Sequence, residues 1–421
     1  NTMTDSPISK PASVPPNKAA WPSIRLLVSV TGVQTIGWLS YYAQSQMYRS
    51  LMDAFDKREG DIGFLYSVEI TVMVIAMGLA AGPLTRWSRV KVALVGSMIL
   101  MAGNLASAFI TNLGADYSFA GISSFHLLMA TRIIVAVGGG AMVSSVTAAL
   151  ASAPHPERAF AIALITHSLL ANVEYPLLPM ALIPYGATGG FLFLAGSALL
   201  LLPFSFWLLP SNKQYQEATA KESVWFSLRR APNRKLALTA MLALFIYEIG
   251  QGGVDRVTAL IAEGTGLDET ATGWGFFWGA NLGLLGGFLA TWMGSRYGYL
   301  RPLTLGIIFN VIPGIWFVFC ENGTQFFIVY FVWSMGYYFV TPFFFASMAQ
   351  LDNLGRWAVA MEAAWTAGDA LAPWIAGELV EYGGFLYIGA LVLVTGIFGL
   401  LVLMSVGRSL DARAATATPT E

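Results

Sequence analysis

Thr85-Arg86-Trp87-Ser88-Arg89-Val90-Lys91 returns 210 residues later as Ser295-Arg296-Tyr297-Gly298-Tyr299-Leu300-Arg301, with a small hydroxyl, an arginine, an aromatic, a small residue and a terminal base in the same order. A second echo lies upstream of each copy: Gln44 to Arg49 recurs as Gln251 to Arg256, offset by 207. Two nearly equal offsets in a chain of 421 residues point to a duplicated unit of about half the chain.

The composition says what that unit is made of. Hydrophobic residues make up 56% of the chain and charged residues 11%, where a soluble domain carries roughly a quarter charged residues. A water-soluble enzyme is excluded. About twenty apolar residues span a bilayer as a helix, and runs of that length occur at 24 to 48, 61 to 84, 91 to 112, 124 to 152, 159 to 183, 187 to 209, 236 to 261, 272 to 294, 302 to 321, 325 to 349, 357 to 380 and 385 to 407. These are spans 1 to 12. The expected fold is therefore an all-α integral membrane protein of twelve transmembrane helices in two pseudo-symmetric six-helix halves.

The expected organisation is a polar N-terminal tail over 1–23, a first half over 24–210, a cytoplasmic central loop over 211–235, a second half over 236–408 and a polar C-terminal tail over 409–421. With both termini cytoplasmic, the inner loops and tails hold 18 of the 23 Lys and Arg, the outer loops Arg49, Lys57 and Arg58, and the membrane Arg132 and Arg256. That asymmetry fixes the expected orientation in the cytoplasmic membrane. Within the central loop, Lys221 to Arg230 reads either as a short amphipathic surface helix or as a solvated linker. The first twenty residues show no basic-then-apolar run ending at a small-residue cleavage site, so no cleaved leader is expected.

Several chemistries drop out. The net charge of −1 gives no reason to expect nucleic acid. Cys320 has no partner for a disulfide, and His126, His155 and His167 lack metal-ligand spacing, so no metal or cofactor is expected. No Gly-x-Ser-x-Gly elbow and no phosphate loop ending in Lys-Ser/Thr is present, which removes hydrolase and ATP-driven readings.

Twelve spans, a basic central loop and a duplicated half resemble the major facilitator superfamily over about Ile24 to Arg408. Span 4 reads Arg132-Ile133-Ile134-Val135-Ala136-Val137-Gly138-Gly139-Gly140-Ala141, similar to that family's intramembrane arginine followed by small residues. The stretches Gly82 to Lys91 and Gly294 to Arg301 resemble its cytoplasmic gating motif without the usual acidic residue, which makes Arg86, Lys91, Arg296 and Arg301 gating candidates. Arg158 to Pro184 contains no glycine, unlike the glycine-rich span 5 of drug-proton antiporters. The resemblance implies secondary transport by alternating access about a central site, with spans 1, 2, 4 and 5 lining the first half of the cavity.

Charges inside the membrane locate the expected site, because each costs at least about 2.5 kcal/mol at mid-bilayer unless paired or hydrated. Glu69, Arg132 and Glu174 each lie eight or nine residues inside the outer end of their spans, roughly 12 to 14 Å deep at 1.5 Å per residue. Arg132 is expected to pair with one glutamate and leave the other to bind a proton. His167, two turns from Glu174, reads as a proton relay or, more plainly, as a hydrogen-bonded structural residue.

In the second half Glu248 and Asp255 share a face of span 7 beside Arg256, and Glu362 and Asp369 repeat the spacing on span 11. Asp255 and Arg256 read as gating residues or plain outer-loop charges, and Glu362 as a cytoplasmic-end residue. Tyr41 and Gln44 of span 1, with Glu248, Asp369, Trp278, Tyr337 and Trp365, are expected to line one substrate cavity, next to other aromatics such as Trp38, Tyr42 and Trp333. Trp274 and Trp357 suit interfacial anchoring, and Gly250 to Gly253 reads as a broken stretch. The expected function is proton-coupled uptake of a small organic solute by a monomer in the lipid bilayer. The rivals are efflux of amphiphilic or cationic compounds, and an uncoupled lipid translocator or transporter-like receptor.

Overall fold

The computed structural model describes residues 22–208, 231–352 and 356–417, apart from 152, 154 and 155. Within the described residues each of the twelve apolar runs falls mainly on helix. Spans 1 to 4 are Ile24–Phe55, Glu59–Arg86, Arg89–Leu113 and Ser124–Ala151. Spans 7, 9 and 10 are Arg234–Gly264, Leu300–Trp316 with a short 3-10 turn, and Gly323–Ala349; spans 11 and 12 are Arg356–Gly383 and Phe385–Ala417. Among the described residues eight helices are long and apolar enough to cross a membrane unaided, and those of spans 1, 5, 8 and 11 are not among them.

Spans 5 and 8 are interrupted. Span 5 runs Pro156–Ala171, loosens around Asn172 and Val173, and re-forms as Glu174–Leu177 ahead of Pro179. Proline supplies no N–H, so Pro176 and Pro179 cannot continue the hydrogen-bond ladder of the preceding turn. The chain then reverses at Gly186 (φ 56°, ψ −150°), a conformation open only to glycine, and enters span 6. Span 8 is divided at Leu284 into Glu269–Gly283 and Leu285–Met293. Gly250 to Gly253, expected to break span 7, stays helical. Glycine in a membrane helix serves close approach, and a Cβ at Gly252 would stand 2.7 Å from Asp369 Oδ1.

Three consecutive glycines hold the first half together. Successive helical residues point about 100° apart, so Gly138 faces span 3, Gly139 span 1 and Gly140 span 2. A Cβ at these positions would meet Gly96 O at 2.6 Å, Gly37 O at 2.8 Å and Met73 O at 2.6 Å. The buried apolar residues form two cores, one from spans 1–6 and one from spans 7–12, with Leu260 crossing into the first. The 211–230 segment and the amphipathic helix expected in it lie outside the described residues. The last helix runs on to Ala417, beyond the boundary expected at 408.

The bundle end where span 1 begins and span 12 finishes is here the terminal end, and its opposite the far end. At the far end the halves are bolted together. Ser45 Oγ accepts from Ala259 N at 3.1 Å and Ser67 Oγ from Trp374 N at 2.9 Å. Arg49 pairs with Glu263 at 3.1 Å, and Arg58 pairs with Glu381. A two-residue hairpin, Ser118–Phe119 with Ile122–Ser123, closes the far loop between spans 3 and 4.

At the terminal end, Trp357 is not an interfacial anchor: it is buried and donates Nε1–H to Pro232 O at 2.7 Å, pinning the entry to the second half. Asp411 accepts from Tyr299 N at 2.7 Å and Leu300 N at 3.1 Å. An acidic residue thus reaches the loop after span 8 from the C-terminal helix, and Gly298 (φ 69°) leaves it room. Arg296 and Arg301 beside it are exposed. In the first copy Lys91 Nζ stands 4.6 Å from the Trp87 ring centroid, and the Arg86 side chain lies outside the described residues.

Candidate functional site

Arg132 is brought to Glu69 by the close packing of spans 2 and 4 around Gly140. Its Nη2 donates to Glu69 Oε1 at 2.6 Å and its Nε to Oε2 at 3.2 Å, while Nη1 donates to Asn104 Oδ1 of span 3 at 2.8 Å. The guanidinium carbon also lies 5.1 Å from the Phe191 ring centroid. A two-pronged arginine–carboxylate pair is the strong geometry for such a contact. Arg132 and Glu69 are 3% and 4% exposed, and their charges cancel.

Glu174 does not join them. It is 4% exposed, and neither carboxyl oxygen has a hydrogen-bond partner among the described residues. The break in span 5 carries it toward span 8, where the next residue, Tyr175, packs its ring 5.5 Å from that of Phe276. His167 is buried and fixed, with Nδ1 3.3 Å from Thr35 Oγ1 and Nε2 3.2 Å from the Tyr42 hydroxyl.

The second polar cluster sits between the halves. Arg256, 2% exposed, donates Nη1 to Asp255 Oδ2 at 2.7 Å and Nη2 to Asp369 Oδ1 at 3.3 Å. Its guanidinium lies 3.9 Å from the Tyr41 ring centroid, so span 1 of one half caps a charge of the other. The outer-loop reading of Arg256 is thereby corrected. Its helix extends a further two turns to Gly264, which places it inside the bundle.

Next to this cluster a cavity of about 130 Å³ opens between spans 1, 5, 7, 8, 10 and 11. Of the expected lining residues, Tyr41, Glu248, Tyr337 and Asp369 share it, together with Asp255. Trp365 sits one layer behind, its ring 5.5 Å from that of Tyr337. Two expected residues are elsewhere. Trp278 is 57% exposed on the outward face of span 8, in a surface groove with Trp274 and Phe327. Gln44 turns toward span 2 and shares a void of about 10 Å³ with Ser40 and Glu69, room for about one water. Glu362, one face-repeat from Asp369, is exposed.

The cavity also uses residues that sequence alone did not select. Gln251 Oε1 accepts from Trp333 Nε1 at 2.8 Å, and Asn310 Nδ2 donates to Trp333 O at 3.0 Å, so Trp333 is tied at both ends. Asn172, in the span 5 break, donates to Asn281 Oδ1 of span 8 at 2.9 Å across the halves. Gln251 stood in the repeated Gln-to-Arg stretch and was legible from it. Asn172 had no sequence signal, because its role comes from a helix break.

These elements match known proteins in their arrangement. The chain fits the sequence family described as Major Facilitator Superfamily over residues 30–352. No functionally curated protein matches it in sequence. Among solved structures, a D-xylose-proton symporter superposes with a TM-score of 0.71 at 15% identity, covering 90% of this chain and 96% of that one. A nucleoside transporter, NupG, gives 0.69 at 13% identity, with coverage of 90% and 98%. An inward-facing, unoccupied bacterial homologue of the human lysosomal transporter Spinster gives 0.67 at 12%, with 92% and 97%. At these identities the likeness is one of fold. The chain belongs to the Major Facilitator Superfamily and is a multi-pass membrane transporter, not an enzyme.

Proposed function

We propose that this transporter moves a small organic solute by alternating access, coupled to protons and in the direction of uptake, with the solute bound in the cavity between Tyr41, Glu248, Tyr337 and Asp369. The observation that carries the reading is Glu174, a buried carboxyl at the meeting of the halves whose oxygens have no partner among the described residues. An ionised carboxylate in that setting costs several kcal/mol, so the residue suits a proton held while the far end is closed and exchanged when it opens. Glu69 is the weaker candidate for this role, since Arg132 already neutralises it.

The distribution of Lys and Arg supports termini in the cytoplasm of a cell whose cytoplasmic membrane holds the protein. The far end then faces outward, and the closed far-end contacts correspond to an inward-facing state. The ion pairs Arg49–Glu263 and Arg58–Glu381 act as its outer latch. Proton-driven efflux is the second reading, favoured by the excess of carboxyls around the cavity.

The test is transport by purified protein in liposomes, using a solute found by thermal-shift screening. A ligand that binds the folded protein raises its melting temperature by linkage. Glu174→Gln keeps size and hydrogen bonding while removing titration. The expected result is normal exchange of the solute down its gradient with no accumulation driven by an imposed proton gradient. Full accumulation by Glu174→Gln would remove this residue from coupling, and full accumulation by the Glu69→Gln, Glu174→Gln double variant would end the reading for this layer.

A further inference from the structure

The cavity between the halves holds more acid than base. Among the described residues Arg256 engages Asp255 and Asp369 and no other acid. Glu248, a third carboxyl lining the same cavity, is 4% exposed, and its Oε2 has no partner among the described residues. One turn along the same helix face, Gln251 has its carbonyl oxygen held by Trp333 Nε1 at 2.8 Å. That bond fixes which end of the amide is committed, and it leaves Gln251 Nε2 as a buried donor with no partner among the described residues. A carboxyl that can ionise against a cation and a neutral donor therefore stand one helical turn apart, about 5 Å, in the wall of one cavity.

A ligand that draws on the ionised form of Glu248 and also satisfies Gln251 presents a cationic donor to the carboxylate and an acceptor or π face to the amide. An anion meets three carboxyls, while Arg256, whose Nη1 and Nη2 are held by Asp255 and Asp369, is not among the lining residues. A neutral solute offers Glu248 no countercharge, so the carboxyl keeps its proton, as argued for Glu174, and gains nothing by ionising. The remaining wall is largely aromatic, with Tyr41, Trp333 and Tyr337 lining the cavity, and aromatic faces attract cations. The size is also limiting, since about 130 Å³ is slightly less than the roughly 150 Å³ of a cavity that admits benzene, which makes a single ring the upper bound.

Resting on the reading of this cavity as the transport site, we infer that its solute is a small organic cation of about the size of a single aromatic ring, with its ammonium bound by Glu248. The preference belongs to the site and holds for either direction of transport.

The test uses three probes of one shape and three charges: benzylamine, benzyl alcohol and benzoate, titrated into the purified full-length protein with tryptophan fluorescence or calorimetry as readout. Benzylamine is expected to bind at least tenfold more tightly than benzyl alcohol, with benzoate weakest. Glu248→Gln should bring benzylamine down to the level of the alcohol, while Glu248→Asp, which keeps the charge, preserves the order. The inference is overturned by benzyl alcohol or benzoate binding as tightly as benzylamine, by a tenfold preference surviving in Glu248→Gln, or by no benzylamine binding at tens of millimolar. If Glu248→Gln does not fold, the wild-type ranking and Glu248→Asp decide. Failure of proton coupling reads differently: accumulation is lost while the charge order of binding remains.

Discussion

The two halves carry one repeated sequence pattern and use their buried charges in opposite ways. In the first half one arginine meets one glutamate with both oxygens engaged, and Asn104 takes the remaining prong. In the second half one arginine faces Asp255 and Asp369 while Glu248 has none of it. The asparagines of spans 3 and 9 show the same divergence. Asn104 serves the arginine, whereas Asn310 accepts from the Tyr247 hydroxyl at 2.5 Å and holds Trp333. A balanced cluster has no valence left for a solute or a proton, so it ties helices together. An unbalanced one leaves valence open, and the cavity lies against it.

The sharpest break of that contrast is a charge deletion in the balanced cluster. Removing one partner of a buried pair strands the other and costs about 3 to 5 kcal/mol. Glu69→Gln should therefore lower thermal stability severely in detergent. The double variant Arg132→Met, Glu69→Leu should recover most of the loss, since well-packed apolar groups replace buried pairs at little cost. A mild single variant would mean that the pair is hydrated and open to exchange.

A hydrogen bond in the second half comes next. Gln251→Leu leaves the Trp333 indole N–H buried without an acceptor, a loss of about 1 to 3 kcal/mol, and it should also weaken binding in the cavity. Asp369→Asn should cost less, about 1 kcal/mol, because its contacts with Arg256 are long, at 3.3 and 3.5 Å, and Asp255 stays at 2.7 Å. The decisive measurement is the pair of melting temperatures. If Asp369→Asn falls as far as Glu69→Gln, the second cluster is as tightly balanced as the first.

How much of this was legible depends on which force set each feature. The spans, the two halves and the depth match of Arg132 with Glu69 follow from burial and length, which sequence carries directly. Glu174 has a similar depth along its chain segment, yet the break at Asn172 and the prolines after it turn it away from Arg132. A period count assumes an unbroken helix. Trp278 shows a second limit: lipid and a cavity both welcome aromatics, so an outward tryptophan at 57% exposure looks the same in sequence as a lining one. Glycines deceive in the reverse sense, because Gly250 to Gly253 signals close packing against spans 11 and 12 where a soluble protein would use it for a turn.

The smallest expected effect tests the repeat itself. Gln44 and Gln251 occupy the same place in the duplicated pattern, 207 residues apart. Gln251 is bound to Trp333, whereas Gln44 is 2% exposed with both amide atoms lacking partners among the described residues. A buried amide without hydrogen bonds is a standing cost, and an apolar group of similar volume removes it. Gln44→Leu should therefore be neutral or stabilising by up to about 1 kcal/mol, where Gln251→Leu destabilises. The void beside Gln44, about 10 Å³ against Ser40 and Glu69, offers the one way for this to fail. A loss of more than about 1 kcal/mol in Gln44→Leu would show that a water there joins the amide to Glu69, and the first-half cluster would then have an open valence as the second does.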